Sequence, residues 1–271
     1  MKTHHLNCGT FRPLLGGGEL VCHTLLVETE QGLVLVDTGF GTHDVREPAQ
    51  TMDRLFRTAM RPALDLAETA AHQVERLGYQ RSDVRHIVLT HLDLDHAGGL
   101  RDFPDATVHV LEEELAAAMN PVTRGDRGRY PAIQRSGVEN WATHTASGEP
   151  WFGFEAVRSI PGLPEDILLV PLVGHTRGHT GVAVRGDDKW LLHAGDAYFF
   201  RGEVQRPPSC PWLLKTFQRA VETVPELRLS NQDRLRELVA EHADEVDVFC
   251  AHDPVELTSR ASPGGSRPAR A

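Results

Sequence analysis

The stretch Leu89–Leu100, LTHLDLDHAGGL, decides how the rest of the chain is understood. Between His91 and His96 it places two histidines and two aspartates, His91, Asp93, Asp95 and His96, and a pair of glycines follows closely. The residues just before it, Arg85–Thr90 (RHIVLT), are an apolar run of strand character. A lone histidine is ordinarily a packed or solvated side chain, and Asp-x-Asp ordinarily caps a turn. Four ionisable groups at the end of a buried strand would desolvate and repel one another unless a cation compensated them. Imidazole and carboxylate are the usual protein ligands of zinc, iron and manganese.

The same arrangement recurs further along. PLVGHTRGHT offers His175 and His179, LLHAGDAYF offers His193 and Asp196, and VFCAHDP offers His252 and Asp253, each just after an apolar run. Repeated delivery of His or Asp at strand ends points to side chains converging on one edge of a sheet structure. Between these stations, LVCHTLLVET and LVLVDTG, separated by EQG, form a predicted hairpin. A helix is predicted over Asp65–Leu77, closed by Gly78, and another over EEELAAAM, ended by Pro121. Later strands are predicted at FEAVRSI, DILLVPLV, GVAVRG, KWLLHAGD and VDVFCAH, with helices at PWLLKTFQRAVETV and from Asn231 onward. Each half runs from strands into helices, so the class is α+β, a strand sandwich covered by helices. One domain over residues 1–258 is expected. Residues 120–153, aperiodic but aromatic at their end, are expected as an insertion or ordered lid, and 259–271 as a disordered tail.

The chain has 271 residues and a formal net charge of −10, which disfavours a nucleic-acid partner. The arginine-bearing stretch TRGDRGRYPAIQR is interrupted by Asp126. No apolar run is long enough for a membrane span, and the opening residues lack a secretory apolar core, so a cytoplasmic protein is expected. Cys8, Cys22, Cys210 and Cys250 are scattered without a C-x-x-C pair and are expected to be reduced, structural thiols.

THLDLDHAGG resembles the H-x-[HED]-x-D-H signature of the metallo-β-lactamase superfamily. VDTG at 36–39, GHTRGH at 174–179, GDA at 195–197 and AHD at 251–253 resemble its other motifs, in the same order. The resemblance implies a four-layer αββα sandwich with two divalent metal ions where the sheets meet. By position, His91, Asp93 and His175 would hold one ion, Asp95, His96 and His252 the other, and Asp196 would bridge them. Asp37 and His179 would support these ligands, His179 through a ligand carboxylate. Zinc is the expected metal. Hydrolytic members mostly have histidine where this chain has Asp93, and a carboxylate there also suits iron or manganese.

The chemistry implied is attack of a metal-bridged hydroxide on a small carbonyl substrate, with Asp95 handling the proton. A lactone or ester is the expected small-molecule substrate, acyl-homoserine lactones among them. A thioester hydrolase of the glyoxalase II type and a diiron redox protein are the alternatives. The superfamily's flavin-linked diiron oxidoreductases carry glutamate at the position of Asp93, but no flavin-sized second domain is expected here. Tyr198 and Phe199, just after Asp196, are candidates to contact substrate. Trp141, Trp151, Phe152, Phe199, Phe200 and Trp212 either line an apolar pocket or pack the insertion onto the body. His193 and Asp253 are expected to be structural, and the resemblance allows a homodimer.

Overall fold

Period-two alternation places the side chains of each strand on two faces, and here both faces of both sheets are covered. The computed structural model describes residues 1–15 and 18–261. Among these residues one sheet runs β1 (Lys2–Phe11), β2 (Leu20–Thr29), β3 (Gly32–Val36), β4 (Val84–Val88), β5 (Thr107–Leu111) and β6 (Trp141–His144). The other runs β12 (Val246–Phe249), β11 (Trp190–His193), β10 (Thr180–Arg185), β9 (Ile167–Pro171), β8 (Phe154–Ser159) and β7 (Glu149–Trp151). Leu25, Val27, Val34, Val36 and Val88 of the first sheet pack against Ile167, Leu169, Val182, Val184 and Phe249 of the second. The alternate residues face outward. Leu26, Leu35, Ile87 and Val108 form a second core under the helices of the first half, and Val170, Ala183, Leu192 and Val248 a third under those of the second half. The result is the expected four-layer αββα order.

The helices are α1 (Thr42–Arg46), α2 (Pro48–Thr51), α3 (Arg54–Met60), α4 (Ala70–Arg76), α5 (Glu112–Met119), α6 (Arg124–Arg129), α7 (Trp212–Val221), α8 (Pro225–Glu241) and α9 (Pro254–Ala261). None is long and apolar enough to cross a membrane. The helix expected over Asp65–Leu77 is divided at Thr69. Asp65 caps a short 3-10 turn by accepting from Ala67 N at 2.9 Å, and the Thr69 hydroxyl accepts from His72 N at 3.4 Å to start α4. Helix α8 begins at Pro225 rather than Asn231, because proline in the first turn lacks only an N–H that would have had no helical partner.

Residues 120–153 contain α6, β6 and β7, and the two strands are edges of the two sheets. Ser259, Arg260 and Ala261, expected in a disordered tail, instead close α9, where Arg260 Nε donates to Asp247 Oδ2 at 2.8 Å. Residues 262–271, the remainder of that expected tail, lie outside the described residues.

Strands β3, β4, β9, β11 and β12 end on one edge, and the loops leaving them are tied together. Thr38 N and its hydroxyl both donate to His96 O at 2.8 Å, and Gly99 N donates to Thr38 Oγ1 at 3.0 Å. This close seam explains the two glycines of HAGG. A Cβ on Gly98 would fall 2.1 Å from Asp44 Oδ2 and 2.7 Å from Gly39 O, and one on Gly99 would fall 2.9 Å from Thr38 Cβ. Gly98→Ala should therefore cost about 1–3 kcal/mol of stability, read from the urea midpoint. An unchanged midpoint would show that the seam yields freely.

Candidate metal centre

The strand ends bring all seven expected ligand residues together. One ligand atom each from His91, Asp93, His175 and Asp196 lies within 4.8 Å of the others, and the same holds for Asp95, His96 and His252. Asp93 Oδ2 is 2.9 Å from His175 Nε2 and 3.4 Å from His91 Nε2. Asp95 Oδ2 is 3.8 Å from His252 Nε2. Asp196 stands between the groups. Its Oδ2 faces His91 and His175 at 3.7 and 3.4 Å, its Oδ1 faces His96 at 3.3 Å, and His252 Nε2 lies 3.1 Å from both oxygens.

The donor set fits a cation. His91 Nε2, His96 Nε2 and Asp196 Oδ1 are buried with no hydrogen-bond partner, a costly state for polar atoms unless something else satisfies them. The imidazoles are also aimed from behind. His96 Nδ1 meets Asp37 Oδ2 at 2.8 Å and His252 Nδ1 meets Val21 O at 2.8 Å. A carbonyl or carboxylate oxygen can only accept, so each Nδ1 carries a proton and each Nε2 is the nitrogen turned to the centre, where an ion or a second proton would bind. Burial works against a charged Asp196, yet the His252, His96 and His175 rings outweigh it and hold this carboxyl well below the usual range. Burial also opposes a charged His96, but Asp196, Asp37 and Asp95 outweigh it and raise its pKa well above the ordinary imidazole value. The cluster draws positive charge inward, and a divalent ion competes for the same lone pairs as protons.

Asp37 meets the Nδ1 side of His96, opposite the nitrogen that faces Asp196. Besides His96 it accepts from Thr90 N and the Thr90 hydroxyl, each at 2.8 Å, and its φ of 59° lies in the left-handed region. His179 differs from expectation. Its Nδ1 bonds Leu172 O and its Nε2 accepts from the backbone N–H of Asp196, both at 2.9 Å. It therefore fixes the main chain of Asp196 and touches no carboxylate.

Tyr198 is fully buried in the core beneath α8, and its hydroxyl donates to Glu256 Oε1 at 3.1 Å. A residue turned into that core cannot reach a substrate. Phe199 turns the other way, lines the cavity and meets the His252 ring edge-on with centroids 4.8 Å apart. Of the six aromatics considered for a pocket, it alone lines this cavity. Trp151 packs on Phe152 and Trp190, Trp141 packs against the first outer core, and Trp212 is exposed. His193 Nε2 bonds His23 O at 2.6 Å, and Asp253 accepts from Val255 N at 2.9 Å at the start of α9, so both are structural.

The sequence pattern does not single out Glu114. Its carboxylate is fully buried and accepts from Leu92 N at 2.9 Å and Gly178 N at 3.1 Å, bracing the two loops that carry five of the ligands. In EEELAAAM it looks like one of three ordinary first-turn acids, and only the spacing to Gly178 in the fold distinguishes it. Gly178 is required there, since a Cβ would fall 2.3 Å from Glu114 N.

The family model described as the metallo-beta-lactamase superfamily matches residues 17–252, and the chain belongs to that superfamily. It is 44% identical over 254 residues to a probable metallo-hydrolase of Mycobacterium tuberculosis, covering 94% of this chain and 81% of the relative. It is 25% identical over 231 residues to the N-acyl homoserine lactonase AiiA of Bacillus thuringiensis, covering 84% of this chain and 79% of that one. A crystal structure of a B. thuringiensis AiiA variant with N-decanoyl-L-homoserine bound at its active site superposes with a TM-score of 0.72. That match, at 22% identity over 95% of each chain, shows the same fold.

A buried cage of this kind is expected to couple metal to stability. Removing metal with a chelator should lower the thermal midpoint, and restoring zinc should raise it again. Saturation at a thousand times the dissociation constant is worth about 4 kcal/mol. A midpoint indifferent to chelator and zinc would argue against a metal at this site.

Proposed function

We propose that this metal-dependent hydrolase works at a dinuclear centre and cleaves lactones or esters that carry a long apolar tail, acyl-homoserine lactones among them. The observation that carries this reading is the wall beside the ligand cluster. A cavity of about 500 Å³ over Asp95, Asp196 and His252 shares Leu20, Phe56, Met60, Phe217 and Ala220 with an apolar groove of about 510 Å³ between α3 and α7. Helix α7 supplies its side of the groove because Leu213, Leu214, Phe217 and Ala220 recur at helical spacing. A small polar substrate gains nothing from such a surface, whereas an acyl chain gains roughly 0.8 kcal/mol for each methylene it buries. The Bacillus relative named for N-acyl homoserine lactones, cyclic esters on an acyl chain, supports the same substrate class.

In this reading His91, Asp93 and His175 would hold one ion and Asp95, His96 and His252 the other, with Asp196 available to both. Zinc is the expected occupant, and the extra carboxylate of Asp93 also suits iron or manganese. Bound divalent ions supply Lewis acidity toward the substrate carbonyl and a water acidic enough to attack near neutral pH. The protein's own part is positioning and proton transfer. Asp95 lines the cavity with its side chain 15% exposed. It takes the proton from the attacking water as the new bond to the carbonyl carbon forms. It returns that proton to the leaving alkoxide oxygen as the ester C–O bond breaks. Phe199 and Phe217 shield the reacting carbonyl from bulk water and leave the groove as the path for the tail.

Across a homologous series of acyl lactones, kcat/KM should rise by roughly fourfold per methylene until the groove is filled. Phe217→Ala should flatten that rise, while Asp95→Asn should lower kcat by about 10²- to 10⁴-fold at every chain length. Turnover independent of tail length would remove the groove from the account. Full turnover by Asp95→Asn would remove Asp95 from the proton path.

A further inference from the structure

Arg129, the last residue of α6, brings a fixed positive charge into the wall of the catalytic cavity. Its side chain is only 14% exposed, and its guanidinium reaches two of the residues clustered around Asp196. Nε stands 3.4 Å from Asp93 Oδ1, and NH1 donates to the backbone carbonyl of His175 at 3.1 Å. NH2 donates to Val221 O at the end of α7, so the side chain is held from a third direction.

The two oxygens of Asp93 are thereby divided between partners of different kind. Oδ2 is turned toward the Nε2 atoms of His175 and His91, at 2.9 and 3.4 Å, where an ion would sit. Oδ1 makes no hydrogen bond and has the guanidinium as its ionic neighbour. A carboxylate with two free oxygens can rotate between binding modes and adds a full negative charge to a buried site already holding Asp95 and Asp196. A cation on the far oxygen removes the rotational freedom and offsets the charge.

We propose that Arg129 is a positioning residue for the ion held by His91, Asp93 and His175, fixing Asp93 by charge and His175 by its carbonyl, so that an aspartate can serve as a ligand at position 93. This rests on the reading of the cluster as a two-ion cage. It makes Arg129 and Asp93 a unit. A histidine at 93 has neither the charge nor the second oxygen, and it would leave the guanidinium only its bonds to the His175 and Val221 carbonyls.

The test is a double-substitution cycle read by metal binding rather than turnover. Zinc affinity and stoichiometry are measured by chelator competition for wild type, Arg129→Met, Asp93→His and the double variant, with the metal-free fold of each checked by circular dichroism. Arg129→Met should weaken one of the two ions by about 10- to 100-fold when Asp93 is present, and by clearly less when position 93 is histidine, where only the tie to the His175 carbonyl is lost. Arg129→Lys, which keeps the charge but not the fork, should retain more affinity than Arg129→Met. If Arg129→Met does not fold, Arg129→Gln, which drops the charge but keeps a donor, measured in both backgrounds gives the comparison. Unchanged affinity, or equal losses with aspartate and histidine at 93, would overturn the proposal and leave Arg129 a general support of the fold. A wild-type chain that binds no metal would overturn the cage reading as well.

Discussion

Everything at the functional edge of this protein depends on one buried carboxylate. Asp196 is 2% exposed and is approached by the Nε2 atoms of four histidines. Taking a carboxylate out of water costs several kcal/mol, and Asp93 and Asp95 beside it add to that cost. The cluster therefore needs positive charge, and its inward-facing nitrogens and oxygens are arranged to receive it. Two sheets that close on each other at this edge bring side chains from four separate chain segments to one place, most of them buried.

The same demand shapes the surroundings. Each ligand loop is held from behind by a group that cannot also serve the ion. Asp37 joins Thr90 to His96, Glu114 joins Leu92 to Gly178, His179 holds the backbone of Asp196, and Val21 O holds His252. These bonds are short and buried, so they lose little to competing water. Glycines stand where the loops touch, at Gly98 against Asp44 and at Gly178 against Glu114. The apolar wall beside the cluster is built differently. Helices α3 and α7 contribute apolar side chains such as Phe56, Met60 and Phe217, none of them among the residues clustered around Asp196.

The metal-binding cluster was largely legible in the sequence because its residues sit at strand ends. His91, Asp93, Asp95 and His96 fall in one loop, and His175, Asp196 and His252 each follow an apolar run whose burial could be inferred. The apolar runs marked the strands and suggested a helix-covered sandwich, while the four-layer αββα order came from the resemblance of the ordered motifs to the superfamily. What stayed hidden depends on tertiary distance. Glu114 is one of three consecutive glutamates, and nothing local tells it apart until the GHTRGH loop folds over it. Arg129 lies in a stretch without periodicity, 36 residues beyond the Asp93 it faces. Tyr198 and Phe199 show the opposite failure. Position after Asp196 indicates proximity but not direction, and the turn sends Tyr198 into the core and Phe199 into the cavity. Helix α3, which carries one wall of the groove, has too few residues for a clear helical period.

The central claim is that two ions share Asp196. The most direct measurement is a crystal structure of the protein purified without chelator, with anomalous scattering collected at the edge of the metal found by elemental analysis. The account predicts two anomalous peaks about 3.5–4 Å apart, one among His91, Asp93 and His175, the other among Asp95, His96 and His252, with Asp196 between them. A single peak, or none in protein shown to be folded and reconstituted, would contradict it.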